Sequence, residues 1–539
     1  MARLRSIVPG GMALAALAAS EHTPMEPSYQ AASDNAFHVF NAIHSAGRQW
    51  GSSVIHNGFS LYPAAVPRGT VLYHGGRQAE PPSEPEWLAF EIEHAENFGR
   101  SWRERPRPPP MHRPDGVDNA EGPQKPLMPP HEGHPEPGHP GPPRRQVGYL
   151  HTYVATRDLN MLYIDGMSAG KTDLGTLDSQ DLLLRGKSTT DNGFMDERER
   201  ANDLCDIVTA WGYDGLVRDE IGFEVIQCDF DNGLEQVSSL QTFYEEDRLS
   251  EHGLSTFQWA RAAGQRYDGI GGNRLNIDFS SMVSGFFFPI NISSTTDERP
   301  DLIRLAAASE LDLKDIKDYL QDISTQPRRF TVHWQGVVDM IVARYADRFA
   351  LMGSENTSVT QFISELESLT LAYVDASGIK NNDGGHDHEA QNETEAAMNR
   401  CSDHYLLPVL IDQEHWSIED DLIYTSLQAV MDDICYILYT MRSTFYTYLR
   451  EDERFQGQIN LDGDKGALED AFEVSRPLLQ SLMQTLAWTT WIRPKVCAPD
   501  QTLFVAMWPI GAPRDHWHPG CRTVEELGRF NRSYWDDRP

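Results

Sequence analysis

Apolar positions along the chain follow two periods, and the change between them divides it. From about residue 300 the spacing is helical. Trp334, Val337, Val338, Ile341, Val342, Tyr345 and Phe349 predict one helix over 334–349. A longer series, from Ile418 through Leu422, Leu427, Val430, Ile434, Leu438, Met441 and Phe445 to Tyr448, holds the 3.6-residue period for about eight turns. Ser417 and Asp420 supply a capping pair at its start. A third helix is expected to open at Ser475, with Pro477 in its first turn, and to end before Pro494. The acidic, polar stretch 378–399 between them reads as an exposed loop. Residues 255–535 are therefore expected to form a mainly α-helical domain.

Upstream, over 35–250, short apolar runs alternate with helical patches and predict an α+β domain. GTVLYHGGR (69–77) is a strand running into His74-Gly75-Gly76. EWLAFEIEHAENFGRSW (86–102) is a strand followed by a helix with Ala95 and Phe98 on one face. GYLHTYVATRDLNMLYID (148–165) gives two strand-like runs around a turn. In GYDGLVRDEIGFEVIQCDF (212–230) a glycine turn leads to a strand carrying Glu224. Alternation there sets Glu224 on the face of Ile226 and Cys228, away from Phe223, Val225 and Gln227. A half-buried lone carboxylate is costly and usually marks function. Residues 104–146 interrupt the domain with prolines and few apolar residues, so they are expected to loop out without a core.

Charge narrows the range of partners. Eighty acidic against 46 basic residues leave a formal net charge of −34, which disfavours phosphate backbones and anionic membranes. Residues 1–20 begin with Arg3 and Arg5, continue apolar and end in small residues, the pattern of a cleaved signal peptide. No other run reaches the roughly 18 apolar residues a spanning helix requires. Sequons at Asn291, Asn356, Asn392 and Asn531 and an even count of six cysteines agree with an extracellular, disulfide-bonded glycoprotein. The cysteines match no zinc or redox spacing. Cys435, on a helix face, also fits a small core residue. His112, His131, His134 and His139 read as solvated loop histidines, so no metal is expected.

Several motifs are near misses. YIDGMSAGKTD (163–173) looks like a phosphate-binding loop ending in Lys171-Thr172, but only three residues separate Gly166 from Gly170, where four are needed. The segment after Thr172 carries turn-formers where a helix should start, so a strand and glycine turn is the better reading. NLDGDKGALED (460–470) has calcium-loop spacing but Lys465 at the obligatory glycine, so it reads as a loop before a helix. LPVLID (407–412) is an apolar run without a phosphate loop to serve. Neither Gly-x-Ser-x-Gly nor His-Glu-x-x-His occurs.

Taken in order, strand-His-Gly, aromatic-x-Ala with a following Ala-x-x-Phe helix, and a Gly-Tyr-Asp-Gly turn with a strand-borne Glu resemble the ADP-ribosyltransferase fold. The match is nearest to its His–Tyr–Glu subtype and covers roughly 65–235. The resemblance implies a split sheet and NAD as substrate, with no metal. It implies that His74 bonds the adenosine ribose, Gly75 grips the nicotinamide amide and Trp87 stacks in place of tyrosine. Glu224 would then stabilise the oxocarbenium-like transition state. Glu220, four residues earlier, competes for the last role. ADP-ribose would pass to an unidentified protein acceptor or to water. The alternative is a non-catalytic secreted interaction protein with a degenerate site. The whole chain is also similar to uncharacterised secreted proteins of filamentous fungi, a similarity that brings no activity with it.

Overall fold

The computed structural model describes residues 23–103, 145–172, 174–187, 196–244, 254–266, 270–295, 302–376, 387–449, 458–494, 496–505, 519–528 and a few isolated positions. The expected signal peptide and proline-rich insertion lie outside these residues, apart from the edges of the insertion.

Three short helices come first: α1 (Tyr29–Asp34), α2 (Ala36–Ser45) and α3 (Gln49–Val54). The strands that follow are β1 (Ser60–Val66), β2 (Val71–Gly76), β3 (Glu86–Ala89), β4 (Trp102–Arg103), β5 (Arg145–Gln146), β6 (Tyr149–Ala155) and β7 (Leu159–Ile164). After a π-helical segment (Ser179–Arg185) and a later helix come β8 (Gly215–Glu220), β9 (Gly222–Gln227), β10 (Leu234–Gln241), β11 (Asn276–Ile277) and β12 (Val283–Ser284). Ten of them form one mixed sheet in the order β10-β6-β2-β3-β9-β8-β7-β1-β11, with β12 also on β1. Only β7–β8 is parallel among its pairs. The sheet is thinnest between β2 and β3, which share one register pair, Tyr73 with Ala89. Because β11 and β12 come from 276–284, the sheet region runs past the boundary expected near 250.

The helices continue as α4 (Ile92–Phe98), α5 (Glu197–Ala210), α6 (Leu254–Arg261), α7 (Glu310–Ser324), α8 (Trp334–Met352), α9 (Val359–Thr370), α10 (Asp387–Asp403), α11 (Ile418–Tyr448) and α12 (Lys465–Leu486). The last six form a helical C-terminal region around α11. Helix α11 matches the expected span and opens with the expected capping box of Ser417 and Asp420. Two other expectations need correction. Residues 387–399 of the supposed exposed loop are helical, as part of α10, because Ala397 and Cys401 lie on one buried face and Cys401 is bonded to Cys435 of α11; 377–386 are outside the described residues. Helix α12 starts ten residues before Ser475, at Lys465, where Asp464 accepts from the Gly466 and Ala467 amides. Pro477 is thus internal. Leu468, Ala471, Phe472, Leu479, Leu482 and Leu486 bury one continuous face, and that burial outweighs one lost backbone hydrogen bond.

One continuous apolar core spans both regions. Leu61, Leu72, Val217 and Val225 of the sheet belong to the same cluster as Leu427, Ile434 and Leu479 of the helices. Helices α1 and α2 connect them, packing on α11. Among the described residues no helix is long and apolar enough to cross a membrane, and no group of three metal-ligating side chains converges.

Candidate functional site

The strands carrying the three expected site residues are neighbours: β2 holds His74, β3 holds Trp87 and β9 holds Glu224. Register decides which way each side chain points. Residues directly opposite in adjacent strands share a face. Tyr73, Ala89 and Glu224 stand opposite one another, so they share a face. His74 therefore projects to the other face, with Leu72. Trp87 pairs with Ile226 and lies on the Glu224 face, half-buried against the core. The structure brings Trp87 and Glu224 to one side and leaves His74 on the other.

His74 is enclosed where it lies. It is 6% exposed, its Nδ1 is 2.8 Å from the Trp87 carbonyl oxygen, and its ring packs edge-on to Phe230. Burial lowers its pKa, so the ring is held neutral. Gly75 is closed off by the chain itself. A Cβ there would meet the Ala95 carbonyl at 2.0 Å and the Gly99 amide nitrogen at 2.5 Å, so α4 occupies the approach expected for nicotinamide.

On the opposite face Glu224 belongs to a buried ion network. The β8–β9 hairpin turns at Ile221–Gly222, where Gly222 has φ +83°, and this sets Arg218 directly across from Glu224. Arg218 Nε donates to Glu224 Oε1 at 2.6 Å, its Nη1 to Gln180 Oε1 at 2.9 Å, and its Nη2 to Glu197 at the start of α5. Glu197 also accepts from Arg200, which donates twice to Asp181 at 2.9 and 3.0 Å. Arg218 and Arg200 are 1% and 0% exposed. Buried guanidinium ions persist only when paired and fully hydrogen-bonded. Burial opposes the charge on Glu197, but Arg218, Lys171 and Arg200 overcome it and hold its carboxyl below the usual range.

The lysine of the near-miss phosphate loop belongs to the same network. Lys171 is buried, and its Nζ donates to Glu220 Oε2 at 3.3 Å and to the Ala169 carbonyl at 3.2 Å. Gly166, at φ +66°, makes the turn after β7, and no regular helix begins at Thr172. The strand and glycine turn is the structure found. Glu220 is driven up to about 7 by burial against the pull of Lys171, so it can hold or release a proton near neutrality. Asp219 is also raised, by burial, and accepts from Gln49 of α3. His94 of α4 is stacked on Trp259 at 5.1 Å and is pushed down to about 4 by burial, although the charge of Glu224 opposes this. Chemically the cluster fixes its carboxylates by pairing them with Arg218, Arg200 and Lys171.

Sequence reasoning missed Arg218, Glu197, Gln180 and His94. One signal could have found Arg218. It and Glu224 are equidistant from Ile221, so a hairpin centred there must pair them. Glu197 and Gln180 come from distant elements and leave no such local trace.

Residues 30–254 match the family model described as the YPL277C N-terminal domain. Two proteins of Saccharomyces cerevisiae (strain ATCC 204508 / S288c) are similar to this chain. The uncharacterised protein YOR389W is 37% identical over 225 residues, covering 39% of this chain and 34% of its own length. The uncharacterised protein YPL277C is 38% identical over 219 residues, covering 39% of this chain and 43% of its own. The chain thus spans less than half the length of either. No solved structure matches. The stretch matched to the family model runs from α1 through β10, so the likeness to that family covers the ion network and the sheet strands up to β10 and stops short of β11, β12 and the helical region.

Proposed function

We propose that this is an exported, disulfide-bonded protein that acts by binding and not by catalysis, on a sheet domain of ADP-ribosyltransferase-like type whose nicotinamide site is closed. One observation carries the reading: the Glu224 carboxylate is bonded by Arg218 at 2.6 Å, on the face opposite His74. A glycosidic-bond-cleaving carboxylate must face the developing positive charge. Here that charge is already supplied from within the chain. Export is supported by three disulfides, Cys205–Cys228, Cys401–Cys435 and Cys497–Cys521, which leave no cysteine free; such bonds persist in oxidising compartments.

A second reading keeps the enzyme. The adjacency of β2, β3 and β9 favours it, since His74, Trp87 and Glu224 come from neighbouring strands although about 150 residues separate the first from the last. In that reading Arg218 releases Glu224 when NAD binds, and ADP-ribose passes to a protein or to water. A single assay separates the two. Purified protein with millimolar NAD is expected to release no nicotinamide above a blank. Release that disappears in Glu224→Gln would overturn the binding-only reading.

A further inference from the structure

A second, smaller apolar cluster lies apart from the main core, at the turn of the β8–β9 hairpin. Trp50 and Ile221 of the sheet region form its near side. Its far side comes from two stretches distant in sequence. One is α6 with the π-helical turn Ala262–Arg266, and the other is a C-terminal hairpin that pairs Gln501–Phe504 with Gly520–Thr523. Trp259 and Ala263 of the first pack with Leu503 and Phe504 of the second. Arg261 also donates to the Pro499 carbonyl at 2.9 Å, and a Cβ on Gly264 would come within 3.2 Å of the Leu503 carbonyl oxygen. The two stretches form one cap, seated on the body through a satellite core of its own. Such a unit can open while the main core stays shut.

The cap closes one end of the face that carries the ion network. Trp259 Nε1 donates to the Ile221 carbonyl at 2.9 Å, and its ring stacks on His94 at 5.1 Å. Gly222 lies beneath, where a Cβ would meet His94 Nδ1 at 2.9 Å and the Ala263 Cβ at 3.6 Å. It stands opposite Glu220 and shares the sheet face of Glu224. His94 is 3% exposed, and burial keeps its imidazole neutral and so nucleophilic. Enclosure is therefore what shields it from a reagent. One disulfide staples the cap. Cys497, just before the hairpin, is bonded to Cys521 within it and packs against the satellite cluster. Both residues are half-buried, whereas Cys205 is 4% exposed and Cys401 and Cys435 are at 0%. The disulfide that an attacking thiolate can reach is the one reduced first.

We propose that the cap is a redox-controlled cover: reduction of Cys497–Cys521 by a dithiol frees it and opens the Glu220 end of the ion network to solvent. One thiolate of the dithiol attacks a sulfur of the bridge, and its second thiolate resolves the mixed disulfide. The dithiol leaves as its own disulfide, and two electrons and two protons pass to Cys497 and Cys521. The cover works in the same way whether the sheet binds or catalyses, so its failure would leave the proposed function untouched. The test uses the full-length protein, with diethyl pyrocarbonate as the probe of His94 and hydrogen exchange as the probe of the backbone, both read by peptide mass spectrometry. Under limiting dithiothreitol, Cys497 and Cys521 should be alkylated before any other cysteine. Carbethoxylation of His94 and exchange at 257–263 are then expected to rise about tenfold or more, with α11 unchanged. Cys497→Ser with Cys521→Ser should reproduce both effects without reductant. Earlier reduction of another disulfide, His94 equally shielded with Cys497–Cys521 open, or acceleration that reaches α11 to the same extent would each overturn the proposal. Should the double variant not fold, the selectively reduced and alkylated native protein decides, and unchanged shielding of His94 there is the refuting result.

Discussion

The two regions of this protein bury charge differently. Around α11 the interior is largely apolar along the helix, with Leu427, Val430, Ile434, Leu438 and Met441 all at 0% exposure, and its buried polar groups are held in small separate contacts, as where Trp334 Nε1 donates to Asp420 at 2.7 Å and Arg442 pairs with Glu367 at 3.4 Å. Under the sheet, Arg218, Arg200, Glu197, Asp181, Glu224, Lys171 and Glu220 form a charged layer between the strands, the π-helical segment and α5. A helical core that loses one buried side chain collapses in part and loses about 2–5 kcal/mol, less where the site closes well. An ion network does not close in this way, because removing one partner strands another charge out of water. The comparison teaches that perturbing one region loses packing and perturbing the other strands charge, two losses of similar size with different remedies, and that a buried carboxylate need not be a catalytic one.

The largest expected effect tests this contrast directly. Arg218→Met leaves Glu224 and Glu197 without their shared cation and should cost about 3–5 kcal/mol in urea unfolding. Adding Glu224→Leu should recover part of that. A loss under about 1 kcal/mol for the single variant would show that water reaches the network, and the contrast would collapse. Next comes the crosslink within the helical region. Cys401–Cys435 spans 34 residues, and replacing both with serine should cost about 3–4 kcal/mol by loop-closure entropy. The same measurement on Cys205–Cys228, which spans 23, should give slightly less.

A third measurement sharpens the comparison through pH. Burial pushes Asp165, at the end of β7, up to about 7 from 3.8. Folded, it keeps its proton to near neutrality, whereas the unfolded chain releases it near 4. Between those values the unfolded state binds fewer protons, so this group's stabilisation is present at low pH and is lost as pH rises toward 7. Glu220 acts in the same direction. His94, pushed down to about 4, acts in the opposite one, since the unfolded state gains a proton first as pH falls below 6.5. Asp165→Asn should flatten the fall between about pH 4 and 7 by about 1–3 kcal/mol, read from urea midpoints across that range. An unchanged slope would mean that Asp165 ionises without penalty. The smallest effect lies at the start of α11. Ser417→Ala removes the acceptor of the Asp420 amide at 3.0 Å and should cost about 1 kcal/mol.

How much was legible differs between the same two regions. The helices α8 and α11 were readable because 3.6-residue spacing repeats over many turns and one capping pair marks a start. Helix α10 was not, because its polar composition hides a helix stabilised by contact and by a disulfide to α11. For the site, the strands of His74, Trp87 and Glu224 were identifiable one by one, and the alternation that puts Glu224 with Ile226 and away from Val225 agrees with the register. What could not be read was how His74 lies relative to Glu224. A one-residue difference in register between strands moves a side chain to the other face, and no local signal encodes that offset between segments about 150 residues apart.

Chain order and local spacing by themselves determined the mixed sheet followed by helices, the capped length of α11 and the weakness of the phosphate-loop match. Tertiary structure alone decided that Glu197 and Gln180 join Arg218, that Lys171 answers Glu220, and that His74 faces away. The physical reason is range: hydrogen-bonding geometry and helical period act over a few residues, whereas the partner of a buried charge is whichever group packing delivers to it.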